Sequence, residues 1–211
     1  MRIKAYSVLY LECGLNNLAF CLDFAVNYLK MPLEEFWEKF LDSPICDNFM
    51  RGDSTTLAGR SGAEMALDVL DLDLPNPITY IKKENSKEFW LGYYLAYYQW
   101  ATNIDFRFLN KYVSITEMLQ MYDSYHDKNV TRFVEFITKE LNERKKYTNL
   151  EIFRRKLGIS RAKLSKRSHV PLRTIEKYEQ RVININRGSA EYVISLAKEL
   201  YVEPEALLEV Y

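Results

Sequence analysis

The sequence predicts an all-α protein: a large helical domain over residues 1–145, followed by a small domain of five short helices over residues 146–211. Three observations carry this. Helix breakers are sparse, with only 7 Gly and 6 Pro in 211 residues. Apolar residues recur at steps of three and four along most of the chain, the spacing that gathers them on one face of a helix. The charge also changes sign near residue 145: residues 1–145 carry 16 Lys and Arg against 21 Asp and Glu, whereas residues 146–211 carry 13 against 8.

The first long helix is expected over residues 7–29, where Val8, Leu11, Leu15, Leu18, Leu22, Val26 and Leu29 fall on one stripe. Pro32 opens the next, residues 33–41, with Glu34 and Glu35 in the first turn, where the helix dipole favours acids. Its Phe36, Trp37 and Phe40 supply a packing face. A shorter helix follows over residues 44–50 and ends before Gly52, and residues 52–56 read as a loop. Ser61 and Glu64 have capping-box spacing and start a helix to about residue 70. Residues 72–85, with Pro75-Asn76-Pro77, read as a loop or a short extended piece. The helix over residues 86–101 is apolar nearly all round, which places it at the centre of the domain, with its Tyr and Trp side chains as core rather than pocket lining. Ser114 and Glu117 repeat the capping-box spacing and open a helix to about residue 122. Residues 129–145 are amphipathic through Val130, Phe133, Val134, Ile137 and Leu141, and Glu143-Arg144-Lys145-Lys146 reads as a linker.

Several function classes are excluded by composition. Hydrophobic content of 48% and charged content of 27% belong to an ordinary globular chain, not a disordered one. No run of 18 or more apolar residues is evident, so no membrane span is predicted. Glu12, Asn16, Asn17 and Asp23 interrupt the stretch behind Met1-Arg2-Ile3-Lys4, which argues against a secretory signal. Cys13, Cys21 and Cys46 form no Cys-x-x-Cys pair and are odd in number, the pattern of reduced core thiols in a cytoplasmic protein. His126 and His169 lie far apart without metal-ligand spacing, and no Gly-rich phosphate loop, Gly-x-Ser-x-Gly or His-Glu-x-x-His motif occurs. Gly59-Arg60-Ser61-Gly62 reads as a helix start rather than an anion nest. The chain is therefore not read as an enzyme, and no catalytic residue, metal or cofactor is assigned.

The functional signal lies behind residue 149. Residues 146–187 alone hold 12 basic side chains against 3 acidic ones, a footprint for phosphate. A helix over residues 150–157 is stopped by Gly158; Ser160 caps a second helix, residues 161–167. Ser168-His169-Val170 makes a tight turn into a third, residues 171–179, and two more follow over residues 189–200 and 204–210. Ser160 before the second helix, Ala162 and Leu164 inside it, Val170 in the turn, Ile175 on the third helix and Leu196-Ala197-Lys198-Glu199-Leu200 mark the pattern. Across residues 149–211 the chain resembles the phage-repressor (Cro/repressor-type, Xre-like) helix-turn-helix family. The resemblance implies a small Ala162 where the helices cross, with Leu164, Val170 and Ile175 fixing their angle so that the third helix enters the major groove. It implies base reading by Leu172, Arg173, Thr174 and Lys177: Arg173 suits guanine, and Leu172 or Thr174 a thymine methyl. Arg161, Lys166, Arg167 and Arg181 become phosphate ligands. The sequence departs from the family in having His169 where Gly is usual in the turn, Pro171 where a polar cap is common, and Tyr201 where Gly precedes the last helix. His169 is accordingly expected at positive φ.

The implied function is a transcriptional regulator that binds double-stranded DNA, as a homodimer if it reads paired half-sites. The preceding 145 residues suit protein binding, ligand sensing in a helical pocket, or a catalytic activity without a visible motif. Leu22–Asn27, Leu95-Ala96-Tyr97-Tyr98-Gln99-Trp100 and Arg173-Thr174-Ile175-Glu176-Lys177-Tyr178-Glu179-Gln180 give the whole chain a weaker similarity to antitoxin-like bacterial regulators. That similarity implies a toxin partner held by the N-terminal domain and autoregulation of the operon. The alternative is a repressor with a small-molecule pocket in that domain. The abundance of Tyr, 16 in all, leads to the expectation of an exposed aromatic patch if a protein partner docks there.

Overall fold

The computed structural model describes residues 4–73 and 86–209. These are helical, with no β-strand among the described residues, and the chain is all-α. Backbone contacts divide it into two compact units, Met1–Leu141 and Asn142–Tyr211. Most of the proline-bearing segment expected to be a loop or extended piece, residues 74–85, lies outside the described residues.

The first unit is organised by its N-terminal helix. The stripe expected as one α-helix is three pieces: a 3-10 turn Val8–Tyr10, helix α1 (Leu11–Asp23) and a π-helical turn Phe24–Tyr28. The π turn shows in the Leu29 amide, which donates to the carbonyl of Phe24 five residues back at 3.0 Å. Apolar spacing alone cannot reveal it, because a π turn still buries the residues it starts with, here Phe24 and Ala25. Val8, at the stripe's outer end, is 64% exposed. Residues Val8–Tyr28 are long and apolar enough to cross a membrane by length and composition, contrary to the expectation of no such run. The helix is nevertheless laid against protein: half of it is buried, and it packs along α5 (Gly62–Leu70) and α6 (Lys87–Thr102). Its buried Asp23 accepts hydrogen bonds from Ser86 Oγ at 2.7 Å and Asn27 Nδ2 at 2.8 Å.

Helix starts follow the caps in the sequence. Pro32 precedes α2 (Leu33–Asp42), and Ser43 caps α3 (Pro44–Arg51). Both capping boxes form: Ser61 with Glu64 on α5, and Ser114 with Glu117 on α8 (Ile115–Gln120). The segment expected as a loop after Gly52 contains α4 (Ser54–Leu57), because Asp53 Oδ1 accepts from the amide of Thr56 at 2.9 Å. A second short helix, α7 (Phe106–Asn110), was not expected; Asp105 caps it through the amides of Arg107 and Phe108. Helix α9 (Tyr122–Tyr125) and α10 (Val130–Arg144) complete the unit's helices, α10 running on past its boundary.

Helix α6 is the buried axis, with Trp90, Tyr94, Tyr98 and Trp100 all inside. Its Gly92 permits the close approach of α1: a Cβ there would lie 2.5 Å from the carbonyl oxygen of Leu18 and 2.6 Å from Ala19 Cα. Cys21 and Cys46 are buried thiols, whereas Cys13 is exposed and so is not the core residue expected. Burial lifts the Cys46 thiol to about 12, which keeps it protonated and inert.

The second unit holds α11 (Asn149–Lys156), α12 (Arg161–Ser168), α13 (Leu172–Glu179) and α14 (Ala190–Leu200), with 3-10 turns at Ile185–Arg187 and Pro204–Leu207. Four α-helices and a closing 3-10 turn thus stand where five helices were expected. Leu150, Leu164, Ile175, Leu196 and Leu207 anchor one apolar core. Lys145 is not part of a free linker: its side chain is 3% exposed and pairs with the equally buried Glu209 at 2.7 Å.

Candidate nucleic-acid interface

Helices α12 and α13 are eight residues each and are joined by His169, Val170 and Pro171. Ser160 caps α12 by accepting from the amide of Lys163 at 3.1 Å. The helix ends because His169 turns left-handed, at φ +58°. Hydroxyls secure the turn: Ser168 Oγ donates to the carbonyl of Leu164 at 2.8 Å, and Ser165 Oγ to that of Val170 at 2.7 Å. Val170 is buried beside Leu164 and Ile175, which fixes α12 against α13. Ala162 is exposed and does not line the helix contact, so its expected role there falls to Leu164 and Val170.

Helix α13 has two faces. Ile175, Tyr178 and Glu179 point inward. Leu172 and Arg173 are exposed and Lys177 is partly so, and the steps between them place all three on the outer face, with Glu176 among them. Thr174 is half-buried at the edge. Pro171 offers no side-chain cap, which leaves the first amides of α13 to solvent. Among the described residues, the side chains of Lys166, Arg173 and Lys177 have no hydrogen-bonded or ionic partner.

The other expected phosphate ligands have partners within the chain. Arg161 Nε donates to Glu179 Oε2 at 2.6 Å, Arg167 Nε to Glu199 Oε2 at 2.6 Å, and Arg181 Nη2 to the carbonyl of Lys145 at 2.7 Å. Each keeps other N–H groups, but its position is set by the fold. Sequence reading missed Lys163, exposed and three residues before Lys166, hence on the same face of α12. The i, i+3 spacing was the available signal.

A buried charge cluster underlies this surface. Glu179 has no exposed side-chain area and receives a two-pronged pair from Arg154, Nε to Oε1 at 2.6 Å and Nη2 to Oε2 at 2.8 Å. Arg154 also donates to the carbonyl of Ile159 at 2.8 Å, so one guanidinium joins α11, the loop after it and the end of α13. The Glu179 hydrogen bond raises the guanidinium above its ordinary value. Glu151 approaches the same cluster and pairs with Arg155 at 2.7 Å. Lys145, by contrast, is held below the ordinary lysine value by burial, partly offset by Glu209. The amide of Asn149 also donates to Glu209, and Asn186 exchanges hydrogen bonds with the Glu209 backbone.

The exposed aromatic patch expected on the first unit is not found: among its described residues every aromatic side chain is at least half-buried, and the exposed large apolar residues are Val8, Leu9 and Leu72. No family model matches the chain, and no curated protein or solved structure matches it significantly.

Proposed function

We propose that this chain is a sequence-specific DNA-binding transcriptional regulator whose second unit lays α13 in the major groove of duplex DNA. One observation carries the reading: two eight-residue helices joined through left-handed His169 and buried Val170, with unpartnered Arg173 and Lys177 on the outer face of the second. The similarity to phage repressors supports the same use of these helices. In this reading Arg173 donates two hydrogen bonds to a guanine edge, and Leu172 and Thr174 meet thymine methyls. Lys163 and Lys166 meet phosphates from α12, where they add affinity without sequence preference. The Arg154–Glu179–Arg161 cluster holds α13 at a fixed attitude, which base reading requires. Two half-sites one helical turn apart would be read by a dimer.

The test is selection of duplexes from a random pool by the full chain, followed by anisotropy titration. The wild type is expected to enrich a short motif. A variant carrying Arg173→Glu and Lys177→Glu should enrich none while keeping its helical circular dichroism. Enrichment of the same motif by that variant would remove α13 from the interface.

A further inference from the structure

A groove of about 600 Å³ opens on the first unit where α9 meets the start of α10. Its floor is Tyr125 and Phe136, whose rings lie 5.5 Å apart at 46°. Its rim carries Lys128, Arg132 and Lys139 against one carboxylate, Glu135, which Arg132 meets at a loose 3.4 Å. Lys128 and Arg132 beside two half-buried rings make a basic feature on an acidic domain. The site is also braced from below. Tyr94, buried on α6, donates its hydroxyl to the carbonyl of Lys128 at 2.7 Å, and Phe133 packs edge-on to Tyr125 at 6.3 Å. Asn129 Oδ1 accepts from the amide and hydroxyl of Thr131, both at 2.9 Å, which fixes the start of α10 beside the groove.

We infer that this groove binds a nucleoside phosphate, with the base against Phe136 and the phosphate between Lys128 and Arg132. The chemistry is complementary on both counts. A planar base finds ring surface on which stacking is favourable. A phosphate finds a guanidinium able to donate twice and an ammonium held 4.9 Å above the Tyr125 ring. The volume falls within the range of small-molecule sites. The inference stands apart from the DNA-binding reading and would give a regulator a ligand to sense.

Calorimetric titration of the full chain with adenosine monophosphate, adenosine, inorganic phosphate and a single-stranded oligothymidylate tests it. Adenosine monophosphate should bind, and adenosine and phosphate should each bind at least about tenfold more weakly, since each fills half of the groove. Arg132→Ala and Phe136→Ala should each weaken the nucleotide at least about tenfold, and Arg173→Ala should leave it unchanged. Arg132 is well exposed, so its loss should not unfold the chain, and an unchanged circular dichroism melt confirms this. Nucleotide binding that survives both groove variants, binding of the oligonucleotide without the mononucleotide, or no heat with any of the four would overturn the inference.

Discussion

His169 illustrates how a single residue marks a fold. Its φ of +58° is a conformation in which a Cβ costs on the order of 1 kcal/mol and glycine nothing. His169→Gly should therefore leave stability unchanged or raise it by up to about 1 kcal/mol, read from urea denaturation. A clear loss of stability would mean that the imidazole makes a contact outweighing the backbone cost. The positive φ was legible in the sequence because the turn needs it. The fate of Arg161 was not, because an arginine beside a helix start looks alike whether it faces phosphate or a carboxylate 18 residues away. Glu179 itself was read only as part of a motif, and its burial with Arg154 depends on packing between three helices. Removing one member leaves the other charged and buried, so Glu179→Ala should cost about 3–5 kcal/mol. A variant with Arg154→Met and Glu179→Leu should be far less damaged than Glu179→Ala alone. Equal losses in the two would show that the carboxylate acts through something other than Arg154.

At the scale of elements, long amphipathic segments and capped starts were legible and short helices were not. Ser61, Ser114 and Ser160 each accept from the amide three residues on, as their places in the sequence implied, and Ser86 does the same at the start of α6. Helices α4 and α7 span four and five residues, too few for any periodicity, and only Asp53 and Asp105 announce them. The π turn after α1 is hidden for a related reason, since it changes the hydrogen-bond register without changing which side chains are apolar. Close packing of α1 on α6 depends on a position that sequence pattern treats as a flaw. In an exposed helix Gly→Ala gains up to about 1 kcal/mol. At Gly92 the new methyl would meet backbone of α1, and such overpacking costs about 1–3 kcal/mol. Gly92→Ala should thus destabilise the chain in denaturant, and a stabilised variant would show that α1 shifts freely. The buried Lys145–Glu209 pair ties the chain entering α11 to the C-terminal segment. Its lowered lysine carries a definite sign: between the folded value and the ordinary lysine value the unfolded chain binds more protons, so stability rises with pH there. That rise should vanish in the paired variant Lys145→Met with Glu209→Leu, and a rise that persists would belong to other groups.

For the molecule as a whole, the division of charge was the most informative reading. An acidic helical domain precedes a basic helical one, and the side chains of Lys163, Lys166, Arg173 and Lys177 place four cations on α12 and α13. The role of the first unit was not legible, since the aromatics among its described residues are half-buried or deeper and its basic groove forms only where α9 and α10 meet. The central claim is that α13 reads duplex DNA, and its most direct test is affinity for a selected duplex as a function of salt. Binding by the wild type should fall steeply as salt rises, with a logarithmic slope set by several neutralised phosphates. Lys166→Ala should weaken all duplexes alike and reduce that slope by about one. Arg173→Ala should cost about 1–3 kcal/mol on the preferred duplex and erase preference at one base pair. Binding without salt dependence, or an Arg173→Ala variant whose sequence preference is intact, would contradict the account.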